Sequence, residues 1–320
     1  MLHNRADGTA IEVRGLTKRY GDLIAIDDFD MDIPKGESMG LVGPNGAGKS
    51  TILKSISGLI SPTSGTILIN GVDCRNHREA MTGVGCVIET PLPYPSYTPA
   101  EMLSYAGRMH GIPKEEIRIR SKDVLEDLRM WSWRDKRIGG FSKGMMQRVS
   151  IATALIHNPE IVLFDEPTSG LDPRGMIEMR QILQDLKRRG LTMVISTHML
   201  GEISELCTSM TLIDHGRKVI GGRVEELLRR GQGVVLEVRL AKDITPGFMK
   251  DLSELPGIFD TEATGPRAFR ARFIGTDEQQ ASIAELVQSH GLMILSMNET
   301  GEDLESFYMS HTNVGEDDAR

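Results

Sequence analysis

The chain has 320 residues, enough for one large domain or two ordinary ones. Its formal net charge of -8 argues against a general nucleic-acid binder, whose phosphate contacts need basic surface. Cys74, Cys86 and Cys207 form no C-x-x-C pair and no metal-ligand spacing, and no apolar run approaches the ~18 residues of a membrane span. The expectation is a soluble protein with reduced thiols, whose membrane role, if any, comes through a partner. Met1 to Thr9 is polar and shows no secretory signal.

Ile11 to Tyr20 alternates loosely and reads as an edge strand, followed by a turn at Gly21-Asp22. Leu23 to Ile33 is a second strand, closed by Pro34-Lys35-Gly36. Tyr20 is open to two readings: a half-buried strand tyrosine, or a ring that stacks on an adenine face. Ser38 to Val42 reads as a buried strand. It runs into Gly43-Pro44-Asn45-Gly46-Ala47-Gly48-Lys49-Ser50-Thr51, which fits G-x-x-x-x-G-K-[ST]. Glycines let such a loop curl so that successive N–H groups point at phosphate oxygens. Lys49 adds a point charge, and the Ser50 hydroxyl can ligate Mg²⁺. Ile52, Leu53, Ile56 and Leu59 give helical spacing behind the loop, and the helix presents its positive end to the same anion.

Residues 66–70 and 85–88 read as short strands. The stretch from Glu89 to Pro99 holds four prolines and two tyrosines, a stiff loop that is either a plain connector or a docking surface. Helices are expected over 99–110, 113–130 and 145–157, with Trp131 and Trp133 packing the segment between them. Residues 138–142 read as a loop, and Ser142 as an N-cap. Residues 160–164 form an apolar strand ending in Asp165-Glu166-Pro167. Two acids at the carboxyl end of a buried strand sit where an α/β sheet binds ligands. Asp165 can hold Mg²⁺ through water, and Glu166 can act as general base on a water. Ser169 to Asp172 is a turn into a helix over 173–189. The strand over 191–196 ends in Thr197-His198, which places a histidine at the same sheet edge.

Strands over 210–214 and 218–221 and a helix over 224–230 complete this part. Arg230-Gly231-Gln232-Gly233 reads as a domain boundary. Beyond it come strand 234–240, helix 246–254, strands 258–263 and 267–273, helix 277–290 and strand 292–298. That βαββαβ order is the ferredoxin-like arrangement. A short amphipathic helix from Leu304 to Ser310 and a polar tail are expected last.

From about residue 10 to about residue 230, these motifs in this order resemble the nucleotide-binding subunit of an ABC transporter. Gly43 to Thr51 resembles Walker A, Leu163 to Glu166 resembles Walker B with its catalytic glutamate, and Ser169 to Asp172 resembles the D-loop. His198 resembles the switch histidine. Phe141-Ser142-Lys143-Gly144-Met145 stands in the place of the LSGGQ signature, and Tyr20 in that of the adenine-stacking aromatic. Glu89 replaces the Q-loop glutamine, and Lys143 and Met145 depart from the signature. The resemblance implies an α/β P-loop NTPase over residues 1–230, with a helical subdomain over about 98–157. A small α+β domain over 231–320 is similar to the tail of the antibiotic-resistance exporter branch.

The resemblance further implies that ATP and Mg²⁺ bind, with Lys49, Glu166 and His198 catalytic and Ser50, Glu89 and Asp165 organising the metal. It implies a head-to-tail dimer in which Ser142 and Gly144 arrive from the second subunit and Asp172 lines the seam. A separate permease would hold the chain peripherally on the cytoplasmic face of the membrane. Two other readings are an ABC-type ATPase that acts on nucleic acid or ribosomes without a permease, and a non-hydrolysing ATP-binding regulator. The first is opposed by the acidic charge, the second by the intact Asp165-Glu166 pair.

Overall fold

The computed structural model describes residues 8–89, 93–231, 234–273 and 277–301. The chain starts with strands β1 (Thr9–Tyr20), β2 (Leu23–Pro34) and β3 (Ser38–Val42), helix α1 (Lys49–Ile56), strands β4 (Ser64–Ile69) and β5 (Val72–Asp73), the short helix α2 (His77–Ala80) and strand β6 (Val84–Val87). Helices α3 (Pro99–Met109), α4 (Lys114–Asp127) and α5 (Lys143–Leu155) follow. Then come β7 (Ile161–Asp165), α6 (Pro173–Arg188), β8 (Thr192–Thr197), α7 (Leu200–Leu206), β9 (Ser209–Asp214), β10 (Arg217–Arg223) and α8 (Val224–Gly231). The last elements are β11 (Val234–Leu240), α9 (Pro246–Ser253), β12 (Ile258–Gly265), β13 (Ala268–Phe273), α10 (Asp277–Ser289) and β14 (Ile294–Gly301). The chain divides into two compact units between Val224 and Glu225.

The first unit has two sheets. One is antiparallel, in the order β2-β1-β4-β5; the other has the order β10-β9-β3-β8-β7-β6. From β9 to β6 the second sheet is parallel, and β10 closes its edge antiparallel. Strands β3, β7 and β8 are buried along their whole length, as strands covered on both faces must be. Helix α1 shares one core with both sheets. Its Ile52, Leu53 and Ile56 are fully buried with Ile11, Phe29 and Ile33 from one sheet and Leu41, Leu163 and Val194 from the other. Helices α3, α4 and α5 pack on one another. The second unit is one antiparallel sheet in the order β12-β13-β11-β14. Leu236, Val238, Phe269 and Ala271 alternate onto the face that carries Phe248 and Leu252 of α9 and Ile283 and Val287 of α10.

Several elements differ from expectation. Leu59 lies beyond the end of α1 and is 65% exposed, because Gly58 turns the chain with φ +68°. Helix α5 starts at Lys143, two residues early: the Ser142 hydroxyl accepts the Met145 N–H at 3.3 Å. Helix α4 stops at Asp127, ahead of Arg129 at φ +57°. The short α2, α7 and β5 were not expected. Trp131 and Trp133 pack the segment without being buried: Trp133 meets Phe141 edge-on with centroids 5.9 Å apart, and both rings lie under the cations of Arg134 and Lys136. The helix expected over 304–310 lies outside the described residues.

Two outcomes follow from this packing. A Cβ at Gly43 would stand 2.2 Å from the Ile213 carbonyl oxygen, a backbone atom that cannot swing aside. Gly43→Ala is expected to cost about 1–3 kcal/mol in urea unfolding, as overpacking does. The second outcome concerns His157, whose ring stacks on His110 with centroids 4.0 Å apart and planes 2° apart. Its Nε2 lies 3.2 Å from the Val84 carbonyl and so carries the proton. Burial, with His110 beside it, pushes this imidazole down from 6.5 to about 4. The unfolded chain therefore takes up a proton that the folded chain refuses. The stability gained is full above pH 6.5 and is lost as pH falls toward about 4. His157→Gln is expected to flatten that part of the unfolding free energy against pH.

Candidate functional site

The loop between β3 and α1 closes on its own lysine. Lys49 is 5% exposed and donates to the carbonyls of Gly43 at 2.8 Å and Pro44 at 3.0 Å. Burial lowers the ammonium's pKa; Glu166, 3.8 Å away, and Asp165 oppose the shift. Gly48 enters the helix at φ +107°, and a Cβ there would stand 2.8 Å from the Ala25 carbonyl oxygen. Only glycine lets the loop curl this tightly against β2. The N–H groups that open α1 have no side-chain cap, so they face the loop as free donors for an anion.

Asp165 ends β7 and gathers the site. Its Oδ1 accepts from the Ser50 hydroxyl at 3.1 Å and from the Ser196 hydroxyl at the end of β8, and its Oδ2 accepts the Glu89 N–H at 3.4 Å. Glu166 follows at φ +46°. Its N–H is held by the Ser196 carbonyl at 3.1 Å and hydroxyl at 3.0 Å, which turns its side chain toward the loop. Its Oε1 lies 3.5 Å from Nδ1 of His198. A lysine, two hydroxyls, two carboxylates and an imidazole thus meet at the carboxyl edge of the parallel sheet. The set can neutralise a polyphosphate and hold a water beside a carboxylate.

Tyr20 is 48% exposed, under the Lys18 ammonium. It lines a cleft of about 440 Å³ together with Asn45, Gly46, Gly48, Lys49, Ser50, Thr51 and Glu166. His215 and Gly216 of the β9–β10 turn join the same cleft; two residues in a hairpin turn carried no signal in the sequence. Ser196 was likewise invisible, a serine among apolar strand residues. One side chain expected at the metal lies elsewhere. The Glu89 carboxylate pairs with Lys54 on α1 and not with Ser50 or Asp165. Ser142 and Gly144 at the head of α5 do not line the cleft. Asp172 caps α6 by accepting the Gly175 N–H at 3.3 Å.

Comparison with known proteins accounts for this assembly. Residues 26–169 match the family model described as ABC transporter. The chain is 41% identical over 224 residues to the ABC transporter ATP-binding protein NatA of Bacillus subtilis, covering 68% of this chain and 91% of that one. It is 33% identical over 304 residues to the bacitracin transport ATP-binding protein BcrA of Bacillus licheniformis, covering 94% and 96%. That second match is longer than the first unit and so runs into the second. A solved structure described as an ATP binding subunit of an ABC transporter superposes with a TM-score of 0.62 at 32% identity, over 69% of this chain and 92% of that one. The phosphate loop, the paired acids and the strand-end histidine therefore stand in a known frame, and the chain belongs to the ABC transporter family as an ATP-binding subunit.

Proposed function

We propose that the chain hydrolyses ATP as one half of a head-to-tail dimer and energises export through a separate membrane permease. The observation that carries this reading is the split of the site. Lys49, Asp165, Glu166 and His198 are tied together by ion pairs and through Ser50, while among the described residues the Ser142 hydroxyl bonds only within the head of its own helix. A signature serine capping a helix N-terminus fits a γ-phosphate bound to a second copy. Lys49 and the loop N–H groups offset phosphate charge, Tyr20 stacks on the base, and Asp172 lies along the seam. Glu166 polarises the attacking water and His198 steadies the γ-phosphate. The oxygen donors of Ser50 and Asp165, already within hydrogen-bond distance, suit Mg²⁺, whose charge would further offset the phosphates. Glu89 would join them on leaving Lys54.

The names of relatives support the exporter reading: one is a bacitracin transport protein and another a linearmycin resistance protein. No helix among the described residues is long and apolar enough to cross a membrane, in keeping with a chain held at the membrane by a permease. The order and pairing of the second unit's strands support a ferredoxin-like accessory domain over 231–320. The loop after β6 supports the permease contact. Tyr94, Tyr97 and Tyr105 form an exposed aromatic cluster with centroids 5.4 to 6.5 Å apart. Beside it runs a groove lined by Pro95, Glu101, Arg108 and Arg137.

Glu166→Gln is expected to slow ATP hydrolysis by about 100-fold or more, the scale of a lost general base, while nucleotide binding survives. Near-normal turnover in that variant would sink the assignment. Tyr105→Ala is expected to lower co-purification of a multi-span permease from mild-detergent membranes with ATP affinity unchanged. Equal recovery of the permease would move the contact elsewhere.

A further inference from the structure

We propose that Glu202 is a positioning residue that holds Glu166 and His198 in register for hydrolysis. The proposal rests on the roles given to those two residues above. Glu202 sits in the first turn of α7 and is 2% exposed. Its Oε2 accepts from the Thr168 hydroxyl at 2.9 Å and from the Thr197 hydroxyl at 3.0 Å. Both threonines are as buried as the glutamate, at 3% and 2% exposure. Thr168 lies two residues after Glu166, and Thr197 immediately precedes His198. The other oxygen of Glu202 has no partner among the described residues, so all its bonding goes into these two hydroxyls.

A closed circuit results. It runs from Glu166 through Thr168 to Glu202, back through Thr197 to His198, and across the 3.5 Å contact from Nδ1 of His198 to Glu166. The Leu171 N–H donates to the Thr168 carbonyl at 3.3 Å, so the turn that carries Asp172 hangs from the same point. Leu200, Ile203 and Leu206 already bury the apolar side of α7, and anchoring the helix needs no acid. A carboxyl in so dry a place is costly unless its partners are worth holding. Here they are the flanks of the two groups that must share one water and one phosphate, where small misplacements are costly.

The test is steady-state hydrolysis by the full chain, alone and with its co-purified permease, with ATP affinity measured separately. Glu202→Ala is expected to lower kcat about 10- to 100-fold, as a misplaced catalytic group does, with KM and nucleotide Kd within about threefold. Glu202→Gln keeps an amide oxygen that can accept both hydroxyls and should recover most of the rate. Thr168→Val replaces one hydroxyl with a methyl in a side chain of similar shape, and it carries the test if Glu202→Ala fails to fold. It should lower kcat in the same direction, and the double variant should lose less than the two losses combined. Turnover within about twofold of wild type in Glu202→Ala and Thr168→Val, or parallel loss of kcat, affinity and unfolding midpoint, would overturn the proposal alone. A wild-type chain that binds ATP and hydrolyses none would overturn the parent reading, and this proposal with it.

Discussion

The carboxylate of Asp165 is the point on which the first unit's chemistry depends. One buried acid at the end of β7 accepts hydrogen bonds from α1, from β8 and from the segment after β6. Burying a carboxyl group is costly unless it is bonded, and Asp165 is bonded on both oxygens. The bonds also bring three elements distant in sequence to one place. The parallel register of β6, β7 and β8 makes that meeting possible, since it brings their carboxyl ends to the same edge of the sheet. The fold and the site are thus not separable here: the same pairing that buries Leu163 and Val194 aims Asp165 and Ser196.

Lys49 shows the complementary device. An ammonium this buried would be destabilised on its own, yet it is surrounded by acceptors that it can exchange. Its present partners are the carbonyls of its own loop, and the proposed ones are phosphate oxygens of equal reach. Glu89 is in a similar position, engaged with Lys54 while its backbone N–H already bonds Asp165. In each case the competing partners are local, so ligand binding replaces one bonded state with another and does not have to create order from none.

What could be read from the sequence follows from range. The phosphate loop, the acids after β7 and the histidine after β8 are contiguous patterns, each flanked by a strand whose apolar run is plain. Ser142 could be read as a cap because capping acts over three residues. Ser196 bonds Asp165, 31 residues away, and Glu202 bonds Thr168, 34 residues away, and a single serine or glutamate carries no mark of that. Helix α7 escaped for a different reason: at seven residues, with Gly201 inside it, it is too short for a period to stand out. Leu59 keeps the helical spacing yet lies past Gly58, the glycine that marks the helix end in the sequence as in the fold. Glu89 stands where the sequence put it, but its carboxylate points to Lys54, and only coordinates reveal a side chain's choice between neighbours.

The turn between β9 and β10 joins the two ends of the cleft. The Gly216 N–H donates to the Ala47 carbonyl, and the Gly216 carbonyl accepts the Asp27 N–H, each at 3.0 Å. No side chain fits there, since a Cβ would stand 2.6 Å from the Ala25 carbonyl oxygen. The hairpin that bears Tyr20 is thereby bolted to the phosphate loop with no slack between them. Such a frame acts as a ruler of fixed length. On the proposed reading it would span from the base to the first phosphates, the part that a triphosphate and a diphosphate have in common. On the proposed dimer, telling a triphosphate from a diphosphate would fall to groups outside the ruler, His198 and those the second copy supplies.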